Sequence, residues 1–162
     1  IPIDPFYLSW KAKQFGIDTR FIELAGEINT AMPKYVVQKV GEALNSIGKS
    51  IKGSRIIVLG LAYKKNVDDT RESPSLTIID MLIKMGADVE YSDPHLSIAP
   101  KTRKFDFELK SIELNEENIK TFDLTILLTD HDDFDYQLIT QAAELIIDTR
   151  GRFHHSSKIY RA

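Results

Sequence analysis

The chain of 162 residues contains no cysteine. Disulfides, thiolate zinc sites and thiol nucleophiles are therefore excluded from it. An excess of one charge is also missing, since 21 Lys plus Arg stand against 24 Asp plus Glu, a formal net charge of -3. That balance supplies no global attraction to phosphate polymers or anionic bilayers, so neither nucleic acid nor membrane is an expected partner. No apolar run approaches the roughly 20 residues that cross a bilayer, and the N-terminus has neither the basic flank nor the apolar core of a signal peptide. A cytoplasmic location is the expectation. No internal repeat or low-complexity tract is visible either.

What is present falls into two parts. The stretch Ile1 to Ser9 carries two prolines and starts without methionine, so it reads as a cut through a longer polypeptide. MPKYVVQKVGEALNSIG then places Val36, Val40, Leu44 and Ile47 at helical spacing with Lys34, Lys39 and Glu42 between them, which predicts an amphipathic helix. Pro33 either marks its first turn, with Asn29 or Thr30 as cap, or kinks a longer helix that begins near Phe21. Gly48 and Gly53 bracket a linker, and a boundary is drawn near Ser50.

Beyond it, short apolar runs alternate with helical patterns: RIIVLGLAY, SPSLTIIDMLIKMG, ADVEYSDP, LTILLTD, FDYQLITQAAE and LIIDTRG. IIVLG, TILLT and LIID are apolar on both faces, as parallel strands covered by helices on each side must be. The expected fold class is α/β, a Rossmann-like doubly wound parallel sheet preceded by a helical segment. Ser73 and Pro74 form a cap and first-turn pair, and Gly86 closes that helix. Leu96 to Lys120 is expected to be a variable loop with a short helix.

An open parallel sheet binds ligands at the carboxyl ends of its strands, where three polar clusters fall: AYKKNVDDTRE, SDPH and DTRGR. The first does not complete a G-x-G-x-x-G turn, so it is no ordinary dinucleotide fingerprint. It offers Lys64, Lys65 and Arg71 just before a helix N-terminus, a combination suited to phosphate or carboxylate, with a solvated capping loop as the alternative. Arg150 and Arg152 follow Asp148 and are placed to grip phosphate or sugar oxygens at the same edge, with surface ion pairs as the alternative. Asp130, His131, Asp132, Asp133 and Asp135 invite a metal-site reading. They lack the central Gly and terminal Glu of a calcium loop, and acids at a helix N-terminus explain them, so no metal is expected. Asp93 before Pro94 reads mainly as a turn, Asp4 as a turn aspartate, and His154 and His155 as a solvated tail.

IPIDPFYLSWKAKQFG, GLAYKKNVDDTRESPS and IIDTRG together resemble the UDP-glucose/GDP-mannose dehydrogenase family over nearly the whole chain. The resemblance implies an enzyme with an NAD-binding Rossmann domain, a central helical dimerisation region and a UDP-binding Rossmann-like domain. Residues 1–50 would be the last part of the central region and residues 51–162 the UDP-sugar-binding domain. Such enzymes oxidise a sugar C6 alcohol twice with two NAD+, through an aldehyde and a cysteine thioester, to a carboxylate for surface-polysaccharide synthesis. The implied substrate is UDP-N-acetylglucosamine, with UDP-glucose and UDP-N-acetylmannosamine as near alternatives, and the implied partner is a second copy in a dimer. The family motif places the catalytic cysteine just before Ile1, so this chain is expected to be inactive alone.

Residue by residue, the resemblance assigns Asp4 to water and proton transfer in thioester hydrolysis. It assigns Tyr63, Lys64 and Arg150 to substrate and Arg71 to the NAD cofactor. A binding module without chemistry remains the alternative reading of the same residues.

Overall fold

The computed structural model describes residues 4–101, 104, 105 and 107–162. The first three residues of the IPIDPF motif, and Thr102, Arg103 and Asp106 of the expected variable loop, lie outside the described residues. Among the described residues ten elements follow in order: α1 (Asp4–Lys13), α2 (Arg20–Ser46), β1 (Arg55–Leu59), α3 (Pro74–Lys84), β2 (Asp88–Ser92), α4 (Glu116–Ile119), β3 (Leu124–Leu127), α5 (Tyr136–Ala142), β4 (Ile146–Asp148) and β5 (Ile159–Arg161). Among the described residues no helix is long and apolar enough to cross a membrane.

The five strands form one sheet in the order β2-β1-β3-β4-β5, every neighbouring pair parallel. Alternation along β1 sends Ile56 and Val58 to one core and Ile57 and Leu59 to the other. The first core is closed by Val36, Val40 and Leu44 of α2 and Leu76, Ile79 and Leu82 of α3. The second is closed by Ile119 of α4 and Ile139 and Ala142 of α5. Helices therefore cover both faces, which is the doubly wound arrangement expected from strands without a polar face.

The helix around Pro33 takes the longer of its two possible forms. α2 runs for 27 residues with Pro33 inside it. The missing proline N–H costs one intrahelical bond, which the packing of the buried Pro33 and the valines after it offsets. Ile47, expected on the buried stripe, is instead the C-cap and partly exposed, and Gly48 reverses the chain at φ +72°. α1 sits on the first half of α2 through Phe6. A Cβ on Gly26 would lie 2.3 Å from Phe6 Cζ, so any larger residue there would require the half-exposed ring to shift.

Ser73 caps α3 by accepting from Ser75 N–H, with Pro74 in the first turn, and Gly86 follows the helix at φ +88°. α4 is the short helix expected between Leu96 and Lys120. β5 had no counterpart in the sequence reading. Three residues are too short to show a period of two, and Ile159 is its one buried side chain.

Candidate functional site

In the order β2-β1-β3-β4-β5 the chain leaves β1 toward one edge and returns on its other side as β3, so the switch point lies between the carboxyl ends of β1 and β3. Gly60 ends β1 at φ +83°, and a Cβ there would lie 2.5 Å from Thr129 Cβ and 2.6 Å from the Thr129 carbonyl. The two strand ends are thus in direct backbone approach, and Thr129 Oγ1 donates to the Ala62 carbonyl at 2.6 Å. Glycine is required by this closure.

Two buried carboxylates organise the loops around that point. Asp148, at the end of β4, accepts from Arg150 N–H (3.0 Å) and Phe153 N–H (2.9 Å). Asp93, just past β2, accepts from Leu61 N–H (2.7 Å) and His95 N–H (2.8 Å) and lies 3.2 Å from His131 Nε2. Burial alone would push the Asp93 carboxyl up, but the bonds from His131, Leu61 and His95 hold it below its ordinary value.

The loop from Leu61 to Ser73 carries Tyr63, Lys64, Lys65 and Arg71 of the residues expected from sequence. Tyr63 is half-buried and its N–H donates to the Asp69 carbonyl at 2.8 Å, while Lys64 is exposed. Lys65 does not stand with Lys64 as a free cation. It pairs with Asp132 at 3.1 Å. Arg71 makes a bidentate pair with Asp69, Nε to Oδ1 at 3.0 Å and a terminal nitrogen to Oδ2 at 2.8 Å. This guanidinium holds the Asp69 carboxyl down at about 2. Arg71 borders a cleft of about 650 Å³, walled also by Asn29, Thr30 and Pro33 of α2, Ser73 and Phe105.

Arg150 donates from Nε to the Leu128 carbonyl at 2.7 Å and lies 4.0 Å from Asp130. Arg152 turns away, its guanidinium 4.4 Å from the centre of the Tyr136 ring on α5. The two arginines therefore have different surroundings. Arg150 and the loop bearing Lys64 share the segment that leaves β3 as a common neighbour. Asp4 stands exposed in the first turn of α1, which packs on α2. No hydrogen bond or ion pair links it to the crevice among the described residues.

The acid-rich run after β3 resolves into separate tasks. Asp135 caps α5 by accepting from Leu138 N–H, Asp132 holds Lys65 and Asn66, and His131 is fully buried against Asp93. Among the described residues no three His, Asp or Glu side chains converge as metal ligands would. The roles of Asp93 and His131 were not readable locally, because the two residues are 38 positions apart and meet only where β2 and β3 flank β1.

Sheet order, the glycine closure at the switch point and the cationic loops define a Rossmann-like α/β domain with its ligand edge at the strand ends. Residues 57–155 match the UDP binding domain of the UDP-glucose/GDP-mannose dehydrogenase family, and the chain belongs to that family.

Among its relatives, the UDP-N-acetyl-D-mannosamine dehydrogenase of Methanococcus maripaludis is 39% identical over 134 residues, 83% of this chain and 28% of the relative. The NDP-N-acetyl-D-galactosaminuronic acid dehydrogenase of Ralstonia nicotianae is 31% identical, over 93% of this chain and 34% of the relative. The solved UDP-D-ManNAc dehydrogenase of Pyrococcus horikoshii superposes with a TM-score of 0.77 at 26% identity, covering 99% of this chain and 36% of that one. The chain spans about a third of the length of the curated relatives it matches.

Proposed function

We propose that this chain is the UDP-sugar-binding portion, with part of the dimerising portion, of an NAD-dependent UDP-N-acetylhexosamine 6-dehydrogenase. The observation that carries the reading is the placement of Tyr63, Lys64 and Arg150 on loops that share the end of β3 as neighbour, within the segment that matches the family's UDP binding domain. Lys64 and Arg150 supply positive charge at a sheet edge where a diphosphate would lie. Residues 51–162 form the binding unit in this reading, and residues 1–50 the end of the central helical region.

The sugar is an N-acetylhexosamine in the names of several relatives, UDP-N-acetyl-D-mannosamine among them. UDP-N-acetylglucosamine, its epimer UDP-N-acetylmannosamine and UDP-glucose are the substrates to be tested. NAD, when bound, supplies the hydride acceptor. Arg71, exposed at the rim of the 650 Å³ cleft, suits an anionic cofactor group, and Asp4 would serve as the proton-handling carboxylate of the assembled enzyme. Neither completes a catalytic centre within this chain, which lacks any thiol. The apolar stripe Phe21, Leu24, Ile28 and Met32 on α2 supports self-association as a dimer.

A backbone-amide NMR titration with UDP tests the reading. Saturable shifts at Tyr63, Lys64 and Arg150, weakened in Arg150→Ala, are the expected result. Absence of shifts at millimolar UDP refutes nucleotide binding by this chain.

A further inference from the structure

The loop that carries Tyr63 and Lys64 is held at both ends by one buried pair. Leu61 N–H donates to Asp93 Oδ2 at 2.7 Å, and Asn66 N–H donates to His131 Nδ1 at 2.9 Å. His131 Nε2 lies 3.2 Å from the same Asp93 oxygen, and both side chains are fully buried. Because Nδ1 accepts from Asn66, its lone pair is in use and the proton sits on Nε2, facing Asp93. A neutral imidazole thus bridges a loop amide and a carboxylate. Asn66 is held at φ +60°, and its side chain exchanges two bonds with Asp132: Nδ2 to Oδ2 at 2.7 Å, and Asp132 N–H to Oδ1 at 3.0 Å.

The packing around His131 does not itself call for a histidine. Its neighbours His95 (ring centres 4.8 Å apart) and Phe134 (5.6 Å) would accept an apolar ring of the same size. What only an imidazole supplies is an acceptor for Asn66 and a donor for Asp93 at once.

We propose that His131 is a positioning residue for the nucleotide-sugar contacts of Tyr63 and Lys64: Nδ1 sets where the loop after β1 ends, and Asp93 holds the imidazole in the tautomer that does so. The inference rests on the UDP-sugar reading above. A loop fixed at Leu61 and at Asn66 has little conformational freedom left for a ligand to remove, so its affinity depends on both anchors. Without the His131 acceptor, Asn66 keeps only its side-chain bonds with Asp132, and the backbone of the loop that carries Lys64 loses its second anchor.

UDP titrations followed by amide NMR on the wild-type chain, His131→Asn and His131→Gln separate this role from a merely structural one. Asparagine sets an acceptor near the position of Nδ1, whereas glutamine reaches toward Asp93 and leaves Asn66 N–H without one. The expected result is a Kd within about 3-fold of wild type for His131→Asn and about 10-fold weaker for His131→Gln, at similar losses in Tm. Affinity that follows Tm equally in both variants, or a His131→Gln chain that binds like wild type, overturns the positioning role while leaving the nucleotide reading intact. A wild-type chain that shows no UDP shifts refutes the nucleotide reading, and this inference with it. Long-range proton–nitrogen spectra of wild-type His131 give a check that needs no variant: protonated Nε2 with bare Nδ1 is expected, and a proton on Nδ1 overturns the proposal.

Discussion

In the first half of α2, Phe21, Leu24 and Ile28 stand exposed, Phe21 at 89%, whereas Val37, Val40 and Leu44 of the second half are buried against the sheet. The two halves share one helix and a similar apolar periodicity. They differ in what lies opposite: the second half meets α3 and the strands, the first meets α1, whose own Tyr7, Leu8 and Trp10 are exposed as well. An apolar stripe on a helix therefore reports that a partner surface is favoured, and not whether that surface belongs to the same chain.

Truncation at matched positions tests this contrast most severely. Leu44→Ala should lower unfolding stability by about 2–5 kcal/mol, because it removes a fully buried side chain and leaves a cavity. Leu24→Ala on the same helix should change the stability of the monomer by roughly 0.5 kcal/mol or less. Urea denaturation of both variants at low protein concentration makes the comparison, and similar losses in the two would show that the first half is buried after all.

Next in size are the polar anchors of the crevice. Asp93→Ala leaves the amides of Leu61 and His95 and the His131 ring without their acceptor, for an expected loss of about 1–3 kcal/mol. The folded pKa of Asp93 is depressed, so its contribution is present above the unfolded value of about 3.9 and is lost as pH falls through the lower folded value. Denaturation midpoints measured between about pH 5 and pH 2 should therefore fall less steeply for Asp93→Ala than for wild type.

Smaller effects sharpen the contrast further. Ser73→Ala removes the acceptor of Ser75 N–H at the start of α3 and should cost about 1 kcal/mol without altering α1 or the first half of α2. Leu24→Glu combined with Ile28→Glu should leave thermal stability of the α/β part nearly unchanged while shifting sedimentation from dimer to monomer, if the exposed stripe is the contact between copies. A variant pair that sediments like wild type assigns the stripe to some other surface.

Much of the α/β part was legible because its signals are local. Runs apolar on both faces at β1, β3 and β4, Ser73 with Pro74, and Gly86 each specify their element within a few residues. Lys64, Arg71 and Arg150 were legible as loop cations for the same reason, since Lys64 and Arg150 follow strand ends and Arg71 precedes the N-terminus of α3. The fate of Lys65 and Arg152 was not, because an ion pair with Asp132 and a ring contact with Tyr136 depend on which loops become neighbours. In the acid-rich run after β3 the acid at a helix N-terminus was legible, as Asp135 at the start of α5, whereas the loop clamp of Asp132 and the buried His131 were not.

The sequence by itself determined the alternation of strands and helices, the caps of α3, the class of fold and the family, since periodicity, turn residues and motifs act over short spans of chain. Tertiary structure alone decided that Pro33 lies inside one long helix, that Ile159–Arg161 joins the sheet, and that Asp93 and His131 meet beneath the loop bearing Lys64. Those outcomes depend on burial and hydrogen bonding between residues far apart in the chain, and such partners acquire their value only when packing removes the competing water.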